Sequence, residues 1–132
     1  MDTFLLFTYG TLMQGERNEH LLSTAQYIGK AVTAKDYKLF QINGNFVFPA
    51  LIEGGDVAIK GEVYEVPISA LPGMDRMEGH PNFYCRKPIK IDSVVTYHDI
   101  SEREIIAYFF VDKEMLVREY PEIKSGDWLK RD

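Results

Sequence analysis

Two short segments of the sequence carry residue types that could bind an anion and transfer a proton. The first, Tyr9-Gly10-Thr11-Leu12, directly follows an apolar run. A glycine at the end of a buried strand lets the backbone turn with a positive φ, and successive free N–H groups in such a turn form an anion-binding concavity. An ordinary strand-ending turn also explains these four residues, and the pattern alone favours that simpler interpretation.

The second segment, "MDRMEGHPNFYCR", contains Glu78 immediately before Gly79. Gly79 is typical of a helix C-terminus, where a carboxylate meets the negative end of the helix dipole. This placement is unfavourable for helix stability, and a residue placed against such a preference often marks a functional site. In an apolar pocket, burial would raise the pKa of Glu78 and suit it to general acid or base catalysis. The alternative is a surface glutamate at a frayed helix end.

Other candidate residues have weaker patterns. Tyr84 and Arg86 would share one strand face and could orient a substrate carboxylate, although a solvated arginine beside a half-buried tyrosine is equally compatible. Cys85 is typical of a small buried residue, and a thiol nucleophile assisted by His80 is a weaker alternative. The three histidines lack metal-ligand spacing among themselves or with Cys85, so we expect no metal site.

Composition limits the kind of protein and its partners. The chain has 132 residues, 45% hydrophobic and 27% charged, which predicts one globular domain, residues 1–132. No segment reaches the roughly 18 apolar residues of a membrane span, and the N-terminus has no signal-peptide pattern. The net charge of −5 disfavours nucleic-acid binding. We therefore expect a cytoplasmic protein that binds a small molecule, with neither a membrane nor a nucleic acid as partner.

The elements that must position these residues are mostly strands. Thr3 to Tyr9 is apolar on both faces, whereas later runs alternate. The other expected strands cover Tyr27 to Val32, Tyr37 to Gln41, an edge strand from Phe46 to Ile52 interrupted by Pro49, Val57 to Val66 with a close backbone approach at Gly61, and a long hairpin of Phe83 to Val95 with Arg103 to Val111.

Two short helices complete this prediction. Asn18 could cap Glu19 to Ser23, and Ser69 could cap Ala70 to Met77. After Pro121 we expect a loop. The mixture points to an α+β fold with a curved or barrel-like sheet and helices to one side. Trp128 and Phe46 to Phe48 could belong to the core or form a contact surface, so a homodimer is compatible with the sequence.

Taken together, "YGTL", "EGHPNFYCR" and the terminal "SGDWLKRD" resemble the γ-glutamylcyclotransferase-like superfamily, in the AIG2-like branch with γ-glutamylamine cyclotransferases and small bacterial members. The resemblance implies a compact barrel-like mixed β-sheet with short flanking helices and a central cavity. It also implies conversion of a γ-glutamyl amine or amide to 5-oxoproline and a free amine, without a cofactor. By position, Tyr9, Gly10, Thr11 and Leu12 would line the cavity, and Glu78 would be the acid and base.

The implied reaction needs few catalytic groups, because the substrate's own α-amine attacks its γ-carbonyl carbon. One carboxylate can deprotonate the α-ammonium and protonate the leaving amine, and backbone amides can hold the oxyanion. "YGTLMQGERN" does not resemble the loop of the glutathione-degrading enzymes, so glutathione is not the expected substrate. A non-catalytic module of the same fold that binds a small metabolite or anion is the alternative.

Overall fold

The computed structural model describes residues 2–10, 13 and 22–131, and these residues form eight strands and two α-helices. Short 3-10 helices cover Ile68–Ala70 and Trp128–Lys130. In chain order, the main elements are β1 (Thr3–Thr8), β2 (Gln26–Thr33), β3 (Tyr37–Asn43), β4 (Val47–Glu53), β5 (Lys60–Pro67), α1 (Leu71–Glu78), β6 (Tyr84–Pro88), β7 (Ile91–Val95), β8 (Ile105–Phe110) and α2 (Lys113–Glu119).

Six of these strands form a mixed sheet in the order β6-β8-β1-β5-β2-β7, and β3 and β4 form a separate hairpin. Strands β1 and β8 run parallel, while the other neighbours are antiparallel. The expected α+β class with a mixed sheet is confirmed. Among the described strands no closed barrel forms, because β6 and β7 are the two edges of the larger sheet.

Strand β1 lies in the middle of the sheet, which explains why it is apolar on both faces. Leu5 and Phe7 pack into one hydrophobic cluster, and Leu6 packs into a second cluster with Met74 of α1. Burial on both faces is the usual reason for a continuous apolar strand. Trp128 is 1% exposed in the first cluster, so it belongs to the core.

The predicted strands at the start of the chain are confirmed. Strands β1, β2 and β3 cover the expected apolar runs, and β4 contains Pro49 and pairs with β3 as an edge strand. The close approach at Gly61 is also confirmed, because a Cβ built there would lie 2.1 Å from the carbonyl oxygen of Thr8. A side chain at this position would force the two paired strands apart.

The predicted long hairpin is wrong in part. Strand β6 does pair with β8, but it ends at Pro88, and β7 crosses to the other edge and pairs with β2. Proline lacks an N–H and cannot donate to the ladder, which agrees with its place as the last residue of β6. Helix α2 follows Asp112, whose side chain accepts a hydrogen bond from the Met115 N–H, and it lies between the predicted strand that ends at Val111 and the loop expected after Pro121, where no element was predicted.

The predicted helix near residue 70 exists but begins differently. Ser69 lies within the 3-10 helix, and α1 begins at Leu71 after Ala70, with no side-chain cap. The other predicted helix, 19–23, falls mostly outside the described residues. None of the helices in the described part of the chain has both the length and the apolar character needed to cross a membrane.

Candidate active site

A cavity of about 380 Å³ opens where the end of β1 meets β4, β8 and the segment that joins α1 to β6. Tyrosine rings and backbone form its buried floor, and aromatic and methionine side chains form its more exposed mouth. The described lining residues are Leu6, Phe7, Thr8, Tyr9, Gly10, Asn45, Phe46, Phe48, Pro49, Met77, Glu78, Phe83, Tyr84 and Tyr108. Four sequence-predicted site residues therefore share one cavity: Tyr9, Gly10, Glu78 and Tyr84.

Glu78 brings an ionisable carboxyl group to this cavity. It is the last residue of α1, and Gly79 ends the helix in the left-handed conformation with a φ of 66°. The side chain is half-buried, and burial raises its pKa to about 7. No described side chain donates a hydrogen bond to the carboxylate or forms an ion pair with it. Near pH 7 the group therefore exists in both protonation states, as proton transfer in both directions requires.

Three tyrosines line the cavity together with Glu78. The negative charge of Glu78 contributes to raising the pKa of Tyr9, Tyr84 and Tyr108, after the larger effect of burial. All three pKa values lie well above the ordinary tyrosine value, so these hydroxyls stay protonated at neutral pH. They can donate hydrogen bonds but cannot replace Glu78 as a base.

Two of the tyrosines tie the cavity wall together. The Tyr9 hydroxyl donates to the backbone carbonyl of Tyr108, and the Tyr84 hydroxyl donates to the backbone carbonyl of Pro49. These bonds join the end of β1 to β8 and the start of β6 to β4. Because both hydroxyl groups are buried and hydrogen-bonded, they fix the spacing of the floor under Glu78.

The reason for the glycine at position 10 differs from the expected one. Gly10 does not have a positive φ; the described glycines with positive φ are Gly54, Gly79 and Gly126. Instead, Gly10 packs so closely on Pro49 that a Cβ would lie 2.2 Å from its Cγ. The expectation of a positive φ is therefore wrong, and the close approach of β4 explains the glycine.

The predicted amide loop continues beyond Gly10 with Thr11 and Leu12. Thr11 and Leu12 are outside the described residues, so their role stays a prediction. The Met13 N–H donates to the Gly10 carbonyl oxygen at 3.0 Å, and Met13 is buried in the core. The chain therefore returns to the core three residues after Gly10.

Arg86 lies beside the cavity wall and is absent from its described lining. Its Nε donates to Asp75 at 3.1 Å, and the Tyr108 hydroxyl donates to the same carboxylate at 2.7 Å. Burial acts to raise the pKa of Asp75, but these two hydrogen bonds, together with the electrostatic interactions with Arg86 and His80, leave the pKa lowered. Through Asp75, α1 is fastened to β6 and β8 one turn before Glu78.

Sequence reasoning missed several residues in the cavity wall or next to it. Tyr108 lies in a predicted strand with no local signal of a site, but it lines the cavity, and it is paired with Arg86 where β6 meets β8. Asp75 stands three residues before Glu78, a spacing that puts both side chains on one side of a helix and could have drawn attention to it. No local sequence pattern indicates that Phe48 and Phe83 lie together, because their contact depends on the relative positions of β4 and β6.

The geometry around Cys85 does not favour the alternative of a thiol nucleophile assisted by His80. Cys85 Sγ lies 3.9 Å from the carbonyl oxygen of Arg86, and the Arg86 N–H donates to His80 Nδ1 at 3.1 Å. Neither Cys85 nor His80 is among the described lining residues. Within residues 2–10, 13 and 22–131, no group of three or more His, Cys, Asp or Glu side chains has the arrangement of a metal site.

Comparison with known proteins identifies relatives over most of the chain. The family model described as "Gamma-glutamyl cyclotransferase, AIG2-like" matches residues 6–130. A Vibrio cholerae protein named "Putative gamma-glutamylcyclotransferase" is 31% identical over 127 residues, which cover 96% of each chain. A Danio rerio protein named gamma-glutamylaminecyclotransferase C is 31% identical over 98 residues, 70% of this chain and 64% of that protein.

A solved structure has the same fold. The crystal structure of an AIG2-like protein from Mus musculus superposes with a TM-score of 0.76 and 22% identity, covering 96% of this chain and 90% of the mouse chain. At this level of identity the likeness establishes the fold and leaves the chemistry to the site itself.

Proposed function

Because the chain belongs to the gamma-glutamyl cyclotransferase, AIG2-like family, we propose that it cyclises the γ-glutamyl group of a small γ-glutamyl amine or amide to 5-oxoproline. The free amine is the second product. The observation that carries this proposal is Glu78, a carboxyl group with a pKa of about 7 at the wall of a cavity of about 380 Å³.

The ring closure needs a single proton-transfer group. Glu78 takes a proton from the substrate's α-ammonium, and the α-amine nitrogen attacks the γ-carbonyl carbon to give a tetrahedral intermediate. Glu78 then gives the proton to the leaving nitrogen as its bond to the γ-carbon breaks and the oxyanion re-forms the carbonyl. The ring nitrogen loses its second proton to Glu78, which passes it to the released amine, so the amine leaves as an ammonium ion. The nucleophile belongs to the substrate, so positioning replaces a protein nucleophile. A pKa close to neutral lets the same carboxyl group serve as base and then as acid.

The cavity floor supports the other half of the reaction. The oxyanion that forms on the γ-carbonyl needs hydrogen-bond donors already in position. In this proposal the backbone amides of Gly10, Thr11 and Leu12 supply them, and Tyr9 and Tyr84 maintain the floor through their bonds to backbone carbonyls. Neither tyrosine needs to ionise.

The test is 5-oxoproline release from a panel of γ-glutamyl amines and γ-glutamyl dipeptides. Wild type, Glu78→Gln and the control Glu104→Gln would be compared, because Glu104 is an exposed glutamate outside the described lining. We expect release by wild type and the control, and a loss of at least about a hundredfold in folded Glu78→Gln, the scale of a positioned acid-base group. Release by Glu78→Gln at the wild-type rate contradicts the proposal. No release by wild type, with γ-glutamyl compounds still raising its melting temperature, supports a binding module.

A further inference from the structure

Exposed apolar side chains line the mouth of the cavity. Phe46 is 66% exposed, Phe83 46% and Met77 42%, and the half-buried Phe48 completes the group. We name these four side chains the mouth cluster. Among the described residues, nine large hydrophobic side chains are exposed, and three of them belong to this one cluster. Such a concentration of exposed apolar surface at a cavity entrance is typical of a ligand-binding surface.

Phe83 is held in a fixed orientation within this cluster. Its ring meets the rings of Tyr84 and Phe110 edge to face, with centroids 5.2 Å and 5.0 Å away, and lies 6.3 Å from the ring of Phe48. The backbone is also fixed, because the Phe83 N–H donates to the Gly79 carbonyl at 2.8 Å. An apolar surface that is both exposed and preorganised costs a ligand little entropy on binding.

The chain also couples this surface to the proton-transfer group. Glu78 ends α1, Gly79 turns the chain, and Phe83 packs back onto that turn so closely that a Cβ at position 79 would lie 2.9 Å from the Phe83 Cβ. Met77 directly precedes Glu78. Two members of the mouth cluster are therefore tied to the residue that must reach the leaving nitrogen.

We propose that the mouth cluster is the subsite for the substituent on the leaving amine, and that it selects an uncharged apolar substituent such as an aryl or branched alkyl group. This inference rests on the proposed cyclotransferase reaction. Glu78 protonates the leaving nitrogen in that reaction, so whatever the nitrogen carries extends from Glu78 towards solvent, past Met77 and Phe83. Burying an apolar substituent there removes both surfaces from water.

A negatively charged substituent on the leaving amine would bind less favourably at the mouth cluster. A carboxylate next to the leaving nitrogen would lose hydration against aromatic rings, whose faces carry negative potential. It would also lie close to the carboxyl group of Glu78. The cluster therefore disfavours γ-glutamyl amino acids relative to γ-glutamyl amines of the same shape.

Three synthetic substrates separate these effects in wild type. γ-Glutamyl phenethylamide and γ-glutamyl ethylamide differ by one phenyl ring, while γ-glutamylphenylalanine adds one carboxylate to the first. We expect kcat/KM for the phenethylamide to exceed that for each of the other two by about tenfold or more, the discrimination typical of an apolar pocket. Equal kcat/KM for phenethylamide and ethylamide overturns the subsite, even where all three compounds release 5-oxoproline.

Substitutions at Phe83 test whether this side chain is responsible for the preference for the phenethylamide. Phe83→Ala should reduce the phenethylamide preference several-fold, whereas Phe83→Leu, which keeps an apolar side chain, should retain most of it. Tyr97→Ala is the matched control, because Tyr97 is fully exposed and outside the described lining. An unchanged preference in both folded Phe83 variants overturns the assignment.

A binding experiment distinguishes failure of the subsite from failure of the reaction. Calorimetry would compare the phenethylamide and the ethylamide on Glu78→Gln. Tighter binding of the phenethylamide supports the subsite even if wild type forms no 5-oxoproline, in which case the proposed reaction alone fails. Equal affinities overturn the subsite whatever the enzyme does.

Discussion

Gly10 and Pro49 touch so closely that no other residue type fits at position 10 without movement of the wall. A Cβ built on Gly10 lies 2.2 Å from Cγ and 2.9 Å from Cδ of Pro49. This contact joins the end of β1 to β4 at the edge of the cavity. The sequence motif therefore depends on a packing relationship between two residues that lie far apart in the chain.

The first prediction follows from this contact. Gly10→Ala should lower the free energy of unfolding by about 1 to 3 kcal/mol, the usual cost of overpacking, measured by urea unfolding. Pro49→Ala removes Cγ and Cδ and leaves the Cβ at an acceptable 3.4 Å from the new methyl group. In that background Gly10→Ala should cost clearly less. Strictly additive effects of the two substitutions would show that the contact is not what requires glycine.

The second prediction concerns stability and pH at Glu78. Burial raises its folded-state pKa to about 7, whereas the unfolded value is about 4.3. The folded state therefore binds more protons between these values, and its stability falls as pH rises from about 4.3 to about 7. At pH 8 Glu78→Gln should be more stable than wild type by about 2 to 3 kcal/mol. This is an upper range, because solvent screens the charge of a half-buried group.

Urea unfolding at pH 4 and pH 8 measures this difference. Near pH 4 wild type and Glu78→Gln should have closely similar stability, since Glu78 is then mostly protonated in both the folded and the unfolded state. Glu104→Gln controls for general loss of negative charge. A constant offset between wild type and Glu78→Gln across the pH range would contradict a buried, shifted carboxyl group.

The third prediction applies the same pKa to turnover. With the best substrate, kcat/KM should rise about tenfold per pH unit below about 7 and level off above it, because the free enzyme must hold Glu78 as a carboxylate. Glu104→Gln should show the same rise of kcat/KM below pH 7, and the residual activity of Glu78→Gln should not. A rise with a midpoint near pH 7 that persists in Glu78→Gln would assign the titration to another group.

Local patterns in the sequence were enough to predict most of the strands and the position of Glu78 at the end of a helix. The apolar run of β1 and the pairing of Glu78 with a helix-ending Gly79 are properties of neighbouring residues, and both predictions match the fold. The rest depends on contacts over long sequence separations. Tyr108 faces the cavity because β8 lies between β1 and β6, and no local pattern contains that order.

The same distinction explains two of the errors. The hairpin prediction for Phe83 to Val95 assumed that neighbouring strands pair, but the pairing of β7 with β2 is decided by the whole sheet. The positive φ expected at Gly10 is the commonest local use of glycine. The actual requirement, room for Pro49, depends on a residue 39 positions away in the sequence.

The last prediction tests Asp75 as a positioning residue. Its carboxylate accepts hydrogen bonds from the Tyr108 hydroxyl and from Arg86 Nε, and it lies one helical turn before Glu78. Asp75→Ala removes both bonds and should lower the free energy of unfolding by about 2 kcal/mol, while Asp75→Asn, which still accepts from Tyr108, should cost about half as much. Both measurements use urea unfolding at pH 7.

The kinetic consequence separates positioning from simple stability. Without the bonds to β6 and β8, the end of α1 can shift relative to the cavity floor, and a displacement of about 1 Å at a reacting group costs as much as a hundredfold in rate. We expect kcat to fall in Asp75→Ala, to recover substantially in Asp75→Asn, and KM to change little, measured well below the melting temperature. Unchanged kcat in a folded Asp75→Ala would mean that Glu78 is positioned by the tyrosine floor and the Gly79 turn alone.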